Sequence, residues 1–262
     1  MPADSLGTRP LTGVRIALAW IVPVALLLLW IAAGTFHWVQ SYQLATPQGV
    51  FEELVSLGSR GLLAKHILAS VDRVFTGFGV ALALAILVGT IVGLSRTGER
   101  LLDPTLQAIR AVPSLAWVPL LLLWMGIGES AKITLIAIGA FFPIYVNLVA
   151  GIHGVDRKLV EVAHTLGVRG IALAARVILP ATLPSLLVGA RIGLTQAWLF
   201  LVAAELLAAT RGLGFMLTEG QQISRPDEIL SAILLLAVFG KLSEMGMRVI
   251  EARLTGWTDS FR

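Results

Sequence analysis

Apolar runs long enough to cross a bilayer recur along this chain and constrain it more than any single motif. Residues 14–33 (VRIALAWIVPVALLLLWIAA) hold one charge in 20 positions, and a helix of that length covers ~30 Å, the thickness of bilayer hydrocarbon. Comparable runs lie at about 67–94, 107–125, 131–150, 183–206 and 229–247. Of the 262 residues 56% are hydrophobic and 14% are charged; a soluble domain is nearer 45–50% apolar and 25% charged. The chain reads as an all-α polytopic membrane protein with about six transmembrane helices, forming one transmembrane domain over residues 1–262. A cleaved signal peptide is the competing reading of the first run. That run is longer than a signal h-region, and no clear small-x-small cleavage site follows it.

Between the runs the chain has local punctuation. Thr46-Pro47 opens a short amphipathic helix with Val50, Phe51, Leu54, Val55 and Leu57 at its apolar positions. Gly77, Gly79, Gly89 and Gly93 in the second span suit close helix packing. Residues 95–104 read as a polar turn, and Pro113 and Pro119 are expected to kink or break the third span. Gly126 to Ser130 form a brief turn.

A further polar interruption is Gly151–Pro184, GIHGVDRKLVEVAHTLGVRGIALAARVILPATLP. It is too polar for lipid, yet it is organised. Asp156 is placed to N-cap a helix starting at Arg157. Val155 and Val160 occupy the two positions of a hydrophobic staple. Leu159, Val160, Ala163 and Leu166 recur at helical spacing, and Gly167 supplies a left-handed stop. A second short helix is expected over 171–178, ended by Pro180. Arg157 and Lys158 stand at the helix N-terminus, where the dipole disfavours cations. Helix stability does not explain them. A loop lying on the membrane surface and a helix presented to a soluble partner both remain open from these residues alone.

The spacing of this stretch resembles the cytoplasmic loop of permease subunits in ATP-binding-cassette importers: Glu-Ala-Ala, three residues, Gly, nine residues, Ile, any residue, Leu-Pro. Here the matching positions are Glu161, Val162, Ala163, Gly167, Val177, Leu179 and Pro180, with Val162 and Val177 as small or apolar replacements. The resemblance extends over 93–214 to permeases of the taurine, nitrate and aliphatic-sulfonate group. Gly93-Leu94-Ser95-Arg96, Gly128-Glu129-Ser130-Ala131-Lys132-Ile133 and Phe142-Pro143-Ile144-Tyr145-Val146-Asn147 are most like the aliphatic-sulfonate member. Val202 to Leu206 and Ala208 to Met216 are more like the taurine member. The resemblance implies a type I importer permease whose cytoplasmic coupling loop, 151–182, engages an ATPase subunit through Leu159, Glu161, Ala163, His164, Leu166 and Gly167. Leu179 and Pro180 mark the loop end. It further implies a permease homodimer, two ATPase subunits inside, and a soluble substrate-binding protein outside. ATP and Mg would sit on the ATPase, with no cofactor in this chain.

Charge distribution gives an orientation. With six spans and an inward N-terminus, eleven Lys and Arg face inward and five outward, which the positive-inside bias favours. That places the loop 151–182 and both termini on the cytoplasmic side, and the resemblance implies a bacterial inner membrane, with the spans in contact with lipid. The net charge of +4 bears on orientation here, and no aromatic-basic interleaving suggests nucleic acid.

Catalytic constellations are missing from the sequence. His37, His66, His153 and His164 have no metal-ligand spacing and read as interfacial or loop residues. There is no Walker loop and no Gly-x-Ser-x-Gly, and no cysteine. Polar residues within the spans are the remaining candidates for a pathway or gate: Asn147, Arg191, Gln196 and Glu205. An intramembrane arginine costs ~2.5–3.5 kcal/mol on insertion scales; Arg191 either pairs with a neighbouring helix or lines an anion path. Glu205 reads as a gate or packing contact. The expected function is import of small organosulfonates driven by a partner ATPase. Taurine, nitrate or bicarbonate are alternative substrates. An ATP-independent carrier is the alternative from another class, and it would require broken helices or midplane charges in matching halves.

Overall fold

The computed structural model describes residues 12–36, 38–40 and 42–256. Among them all regular structure is helical. Helix α1 (Thr12–Thr35) is followed by α2 (Pro47–Ser59), which opens as its sequence predicts. The Thr46 hydroxyl accepts the Gly49 N–H at 3.2 Å, and Pro47 fills a first-turn position where its missing N–H is harmless. Val50 and Leu57 turn inward, whereas Phe51 and Val55 stay exposed. His37 lies outside the described residues.

Helix α3 (Leu62–Leu94) is 33 residues long, ~50 Å and more than the hydrocarbon needs. Next, Ser95 caps α4 (Arg96–Ala111) by accepting the Gly98 N–H at 3.1 Å. The polar turn expected at 95–104 is therefore helical. The third span is also not one kinked rod. The chain bends by 90° between Arg96–Ala111 and Ser114–Met125. Pro113 forces Val112 into extended backbone (φ −73°, ψ 126°) and ends α4 there. A 3₁₀ turn, Ser114–Trp117, leads into α5 (Val118–Met125), where Pro119 sits in the first turn and breaks nothing.

Helix α6 (Glu129–His153) precedes the polar loop with its short α7 (Arg157–Thr165). The following short helix does not stop at Pro180. Helix α8 (Gly170–Leu173) passes through a π-turn at Ala174–Ile178 into α9 (Leu179–Ala208), giving one continuous run over Gly170–Leu207. The wider π-turn supplies the local adjustment that lets a helix accommodate a proline. Helices α10 (Leu213–Gln222) and α11 (Pro226–Leu254) complete the fold. By length and composition four helices can cross a membrane, α3, α6, the α8–α9 run and α11, or five with the bent α4–α5 pair. Trp20–Thr35 of α1 is a shorter apolar helix among the described residues.

Helix α6 is the centre, packed between α3 and α9 through small residues. A Cβ on Gly77 would lie 2.6 Å from Ile136, on Gly89 2.9 Å from Leu148, and on Gly93 2.6 Å from Ile152. Gly79 faces open space instead. On the other side Gly189 and Gly193 of α9 meet Asn147 and Ile144, and Gly139 of α6 lies under the Phe200 ring. Backbones approach closely where side chains are absent, which is how helices associate without a hydrophobic drive between them. Three polar contacts pin the outer helices. Tyr145 donates to Asp103 Oδ1 at 2.7 Å, holding α4 on α6. Trp198 Nε1 donates to Ser243 Oγ at 2.8 Å, joining α9 to α11. Arg225, just before α11, bridges Asp227 and Glu53 of α2. Those hydrogen bonds, Asp227 first, push the Arg225 guanidinium further above its ordinary pKa.

Candidate functional site

The loop helix α7 is built by its caps. Asp156 Oδ1 accepts the Lys158 N–H at 2.9 Å, satisfying one of the orphan donors of the first turn. At the other end the Gly167 N–H reaches the His164 carbonyl at 3.0 Å, and the Val168 N–H reaches the Ala163 carbonyl at 2.9 Å. This pair of bonds is a Schellman stop, and Gly167 supplies the positive φ it requires, +79°. The chain leaves the helix where the sequence places its end.

The faces of α7 differ from the sequence expectation at one residue. Ala163 was grouped with Leu159 and Leu166 as a surface for a partner. It is 5% exposed and packs against its own chain, whereas Leu166 is 77% exposed and Leu159 and Val162 are also open. Helix α7 rests on the π-turn segment, so its smallest apolar residue turns inward and its larger ones outward. Glu161, His164 and Gly167 are exposed, Leu179 is half-buried and Pro180 exposed. Ile171, beyond the stop, is also exposed, at 88%.

At the far end of α6 from this loop lies a buried polar cluster. Arg73 of α3 donates to both carboxylate oxygens of Glu129, at 2.6 and 2.7 Å, to Glu205 Oε1 at 2.6 Å, and to the Arg211 carbonyl at 2.7 Å. Glu205 also accepts from Ser70 Oγ at 2.8 Å and from the Gly214 N–H at 2.7 Å. Ser70 Oγ accepts the Leu213 N–H at 2.7 Å, and His66 Nδ1 accepts that of Gly212 at 3.1 Å. Lys132 joins Glu129 at 3.2 Å. Glu205 is thus a buried packing hub that clamps the 209–214 loop to α3 and α6. His66 is a buried partner of this loop and not an interfacial residue. Gly212 has φ +131°, and a Cβ there would run into the Glu205 carboxylate. Sequence reading missed Ser70 and the roles of Arg73 and Lys132. The available signal was a run of charges, Asp72, Arg73, Glu129 and Lys132, at span ends.

Asn147 and Gln196 are brought to one groove, of about 470 Å³ between α6 and α9, with Gly139, Phe142, Pro143 and Val146 on one wall and Ile192 and Phe200 on the other. Arg110, from the last turn of α4, and Ser114, just beyond the bend, close its third side. Asn147 Nδ2 donates to the Pro143 carbonyl at 2.8 Å. Arg191 is not in this groove. Its Nε lies 3.7 Å from Glu251 Oε2 on α11, so its charge has a partner on a neighbouring helix. Neither Arg110 nor Ser114 was singled out from sequence, because the 90° bend that brings them to α6 is a tertiary feature. No cluster of His, Cys, Asp and Glu suited to a metal ion occurs among the described residues.

A capped polar helix between two spans, with the loop spacing quoted above, invites comparison with known transport proteins. Residues 81–256 match the family described as binding-protein-dependent transport system inner membrane component. The chain belongs to this family. The match covers the loop helix, the groove and Glu205. Over nearly its full length the chain is similar to the putative aliphatic sulfonates transport permease protein SsuC of Escherichia coli (strain K12), 40% identical over 92% of each chain. It is 37% identical to the protein of the same name from Bacillus subtilis (strain 168), over 100% of this chain and 99% of that one. The taurine transport system permease protein TauC of Escherichia coli (strain K12) is 39% identical over 88% of this chain and 86% of its own. Among solved structures, an inward-facing form of the MetNI methionine ABC transporter superposes with a TM-score of 0.66 at 20% identity, covering 75% of this chain and 98% of that one; this likeness shows the fold alone. The permease is therefore a multi-pass membrane component of an importer, a transport subunit and not itself an enzyme. Its family works with an ATPase and a substrate-binding protein. The ATP-independent carrier is set aside by this membership.

Proposed function

We propose that the permease is the membrane-spanning subunit of an importer for small organosulfonates, with alkanesulfonates as the main substrates. The similarity that carries the substrate is the match, at 40% and 37% identity across almost the whole chain, to two relatives named for aliphatic sulfonates. Taurine is the second reading, favoured by the 39% identical relative named for it. The relative named for nitrate import is 32% identical over 72% of this chain, which makes nitrate a weaker reading.

In this reading the permease spans the bacterial inner membrane six times with both termini in the cytoplasm, and two copies form the path. The exposed Leu159, Val162 and Leu166 of α7 are the surface that docks into each ATPase subunit. Glu161, His164 and Gly167 flank that contact, and Leu179-Pro180 returns the chain to the membrane. A binding protein delivers the sulfonate to the opposite face. ATP binding favours one of two permease conformations and hydrolysis restores the other, so the coupling helices need only bias a pre-existing equilibrium. Apolar residues open on the outer helices, among them Leu26 and Leu87, suit lipid contact.

The test is uptake of labelled ethanesulfonate into vesicles holding the permease, its ATPase and its binding protein. ATP-dependent uptake is expected. Uptake that needs no ATP would refute the importer reading, and uptake of nitrate without sulfonate would refute the substrate.

A further inference from the structure

We infer that the permease carries a transient anion site of its own, in which the Arg110 guanidinium, helped by Ser114, Asn147 and Gln196, meets the sulfonate group in the groove between α6 and α9. This rests on the importer reading above and adds to it the residues that handle the cargo.

Depth is the first observation. Gly139 and Asn147, the ends of the α6 wall, lie 10 and 18 residues beyond Glu129 at the start of that helix, roughly 15 and 27 Å along it. The groove thus lies at and just inward of the middle of the fold. An arginine at that level faces protein, a partner carboxylate or a water-filled cavity, and by default marks a functional position.

Charge pairing is the second observation. Three cations packed among the spans have carboxylate partners: Arg73 with Glu129 and Glu205, Lys132 with Glu129, and Arg191 with Glu251. Arg110 has none among the described residues, and it is exposed into the groove. Around it stand a hydroxyl, Ser114, and two amides, Asn147 and Gln196, and no carboxylate lines the groove. Asn147 spends one donor on the Pro143 carbonyl and keeps another. One uncompensated cation ringed by neutral donors suits a monoanion with several acceptor oxygens.

The remaining walls are apolar. Phe142, Val146, Ile192 and Phe200 face the same space, so a small amphiphile places its charged end toward Arg110 and its alkyl end against these side chains. The volume of about 470 Å³ is within the range of small-molecule sites. A single cation in an open groove holds an anion weakly. That is what conduction requires, since a site must be favourable enough to enter and weak enough to leave. The bland role for Arg110 is a cation at a helix C-terminus, where the dipole favours it. That role needs only a positive or polar residue on α4 and makes no demand on cargo.

The experiment uses the complete importer in proteoliposomes, with labelled ethanesulfonate presented by the binding protein. Arg110→Gln is expected to lower the uptake rate at least ten-fold while the ATPase remains bound and is still stimulated by the loaded binding protein. Arg110→Lys is expected to keep most of the uptake, and Gln196→Leu to lose several-fold. Wild-type uptake by Arg110→Gln would overturn the site. So would loss of uptake accompanied by loss of the ATPase or of its stimulation, which is the signature of a structural role. Arg110→Lys as defective as Arg110→Gln would remove the charge from the explanation and overturn it as well. Wild-type vesicles with no ATP-driven uptake would instead refute the importer reading on which the site depends.

Discussion

Glu205 and its partner Arg73 are expected to be the most consequential side chains for the stability of the end of the molecule that carries the 209–214 loop. Glu205→Leu removes the acceptor for three buried donors: Arg73 Nη1, the Ser70 hydroxyl and the Gly214 N–H. Arg73 retains its two bonds to Glu129 and one to the Arg211 carbonyl, so its charge is not left alone. Ser70 and Gly214 lose their partner in a setting where neither meets water. Orphaned buried donors cost ~1–3 kcal/mol each, and breaking one side of a buried ion pair costs about 3–5 kcal/mol. The expected loss is therefore about 3–5 kcal/mol. Glu205→Gln, which keeps the shape and one acceptor, loses about 1.5–3 kcal/mol. Arg73→Leu should match Glu205→Leu, because it leaves a fully buried carboxyl with only Ser70 and Gly214. The double variant should cost less than the sum by more than about 1 kcal/mol, the mark of a direct pair. Reversible denaturation of the purified permease in bicelles measures all four. Trypsin gives a local reading, since the loop that presents Arg211 is held through that residue's carbonyl and should be cut faster in both Leu variants. Additivity of the two single losses, or a Glu205→Leu cost under about 1 kcal/mol, would refute the description of this cluster as a clamp.

Leu166→Asp on the exposed side of α7 should release the ATPase on purification without changing the unfolding of the permease; a retained ATPase would move the docking surface elsewhere. Gly167→Val should impair ATP-driven uptake through its backbone alone, because a Cβ there meets nothing within 4 Å and the cost of ~1–2 kcal/mol comes from a positive φ; Gly167→Asn should be milder, and equal effects would argue against the Schellman stop. Gly139→Leu should prevent α6 and α9 from packing under Phe200 and abolish folding, seen as loss of monodisperse protein in detergent extracts. A reporter fused at Gly98 should be cytoplasmic and one at Gln221 should be outside; the reverse would overturn the orientation.

The elements legible in the sequence were those governed by neighbours along the chain. Apolar runs set where spans lie. Asp156 and Gly167 set the ends of α7, because a cap and a left-handed stop act on the turn beside them. Family membership followed from the loop spacing and from runs such as Gly128 to Ile133. Errors arose where a local rule met a distant partner. Residues 95–104 carry enough polarity to read as a turn, but Ser95 caps a helix that Tyr145 holds through Asp103. Pro180 reads as a stop, but the π-turn before it lets the run continue. Ala163 belongs to the apolar stripe of α7 by spacing, and only the packing of α7 on the segment after it shows that this residue faces inward.

The sequence alone therefore determined that this is a membrane permease and where the loop helix α7 begins and ends. Hydropathy, helix capping and charge asymmetry act over a turn or a span, and they can be read from adjacent residues. The tertiary structure alone decided which polar side chains meet. Arg73 and Glu205 are 132 positions apart, and Arg110, Asn147 and Gln196 come from three helices. No periodicity links such residues. Their encounter depends on glycines that let α3, α6 and α9 approach and on a proline that turns α4 back toward α6.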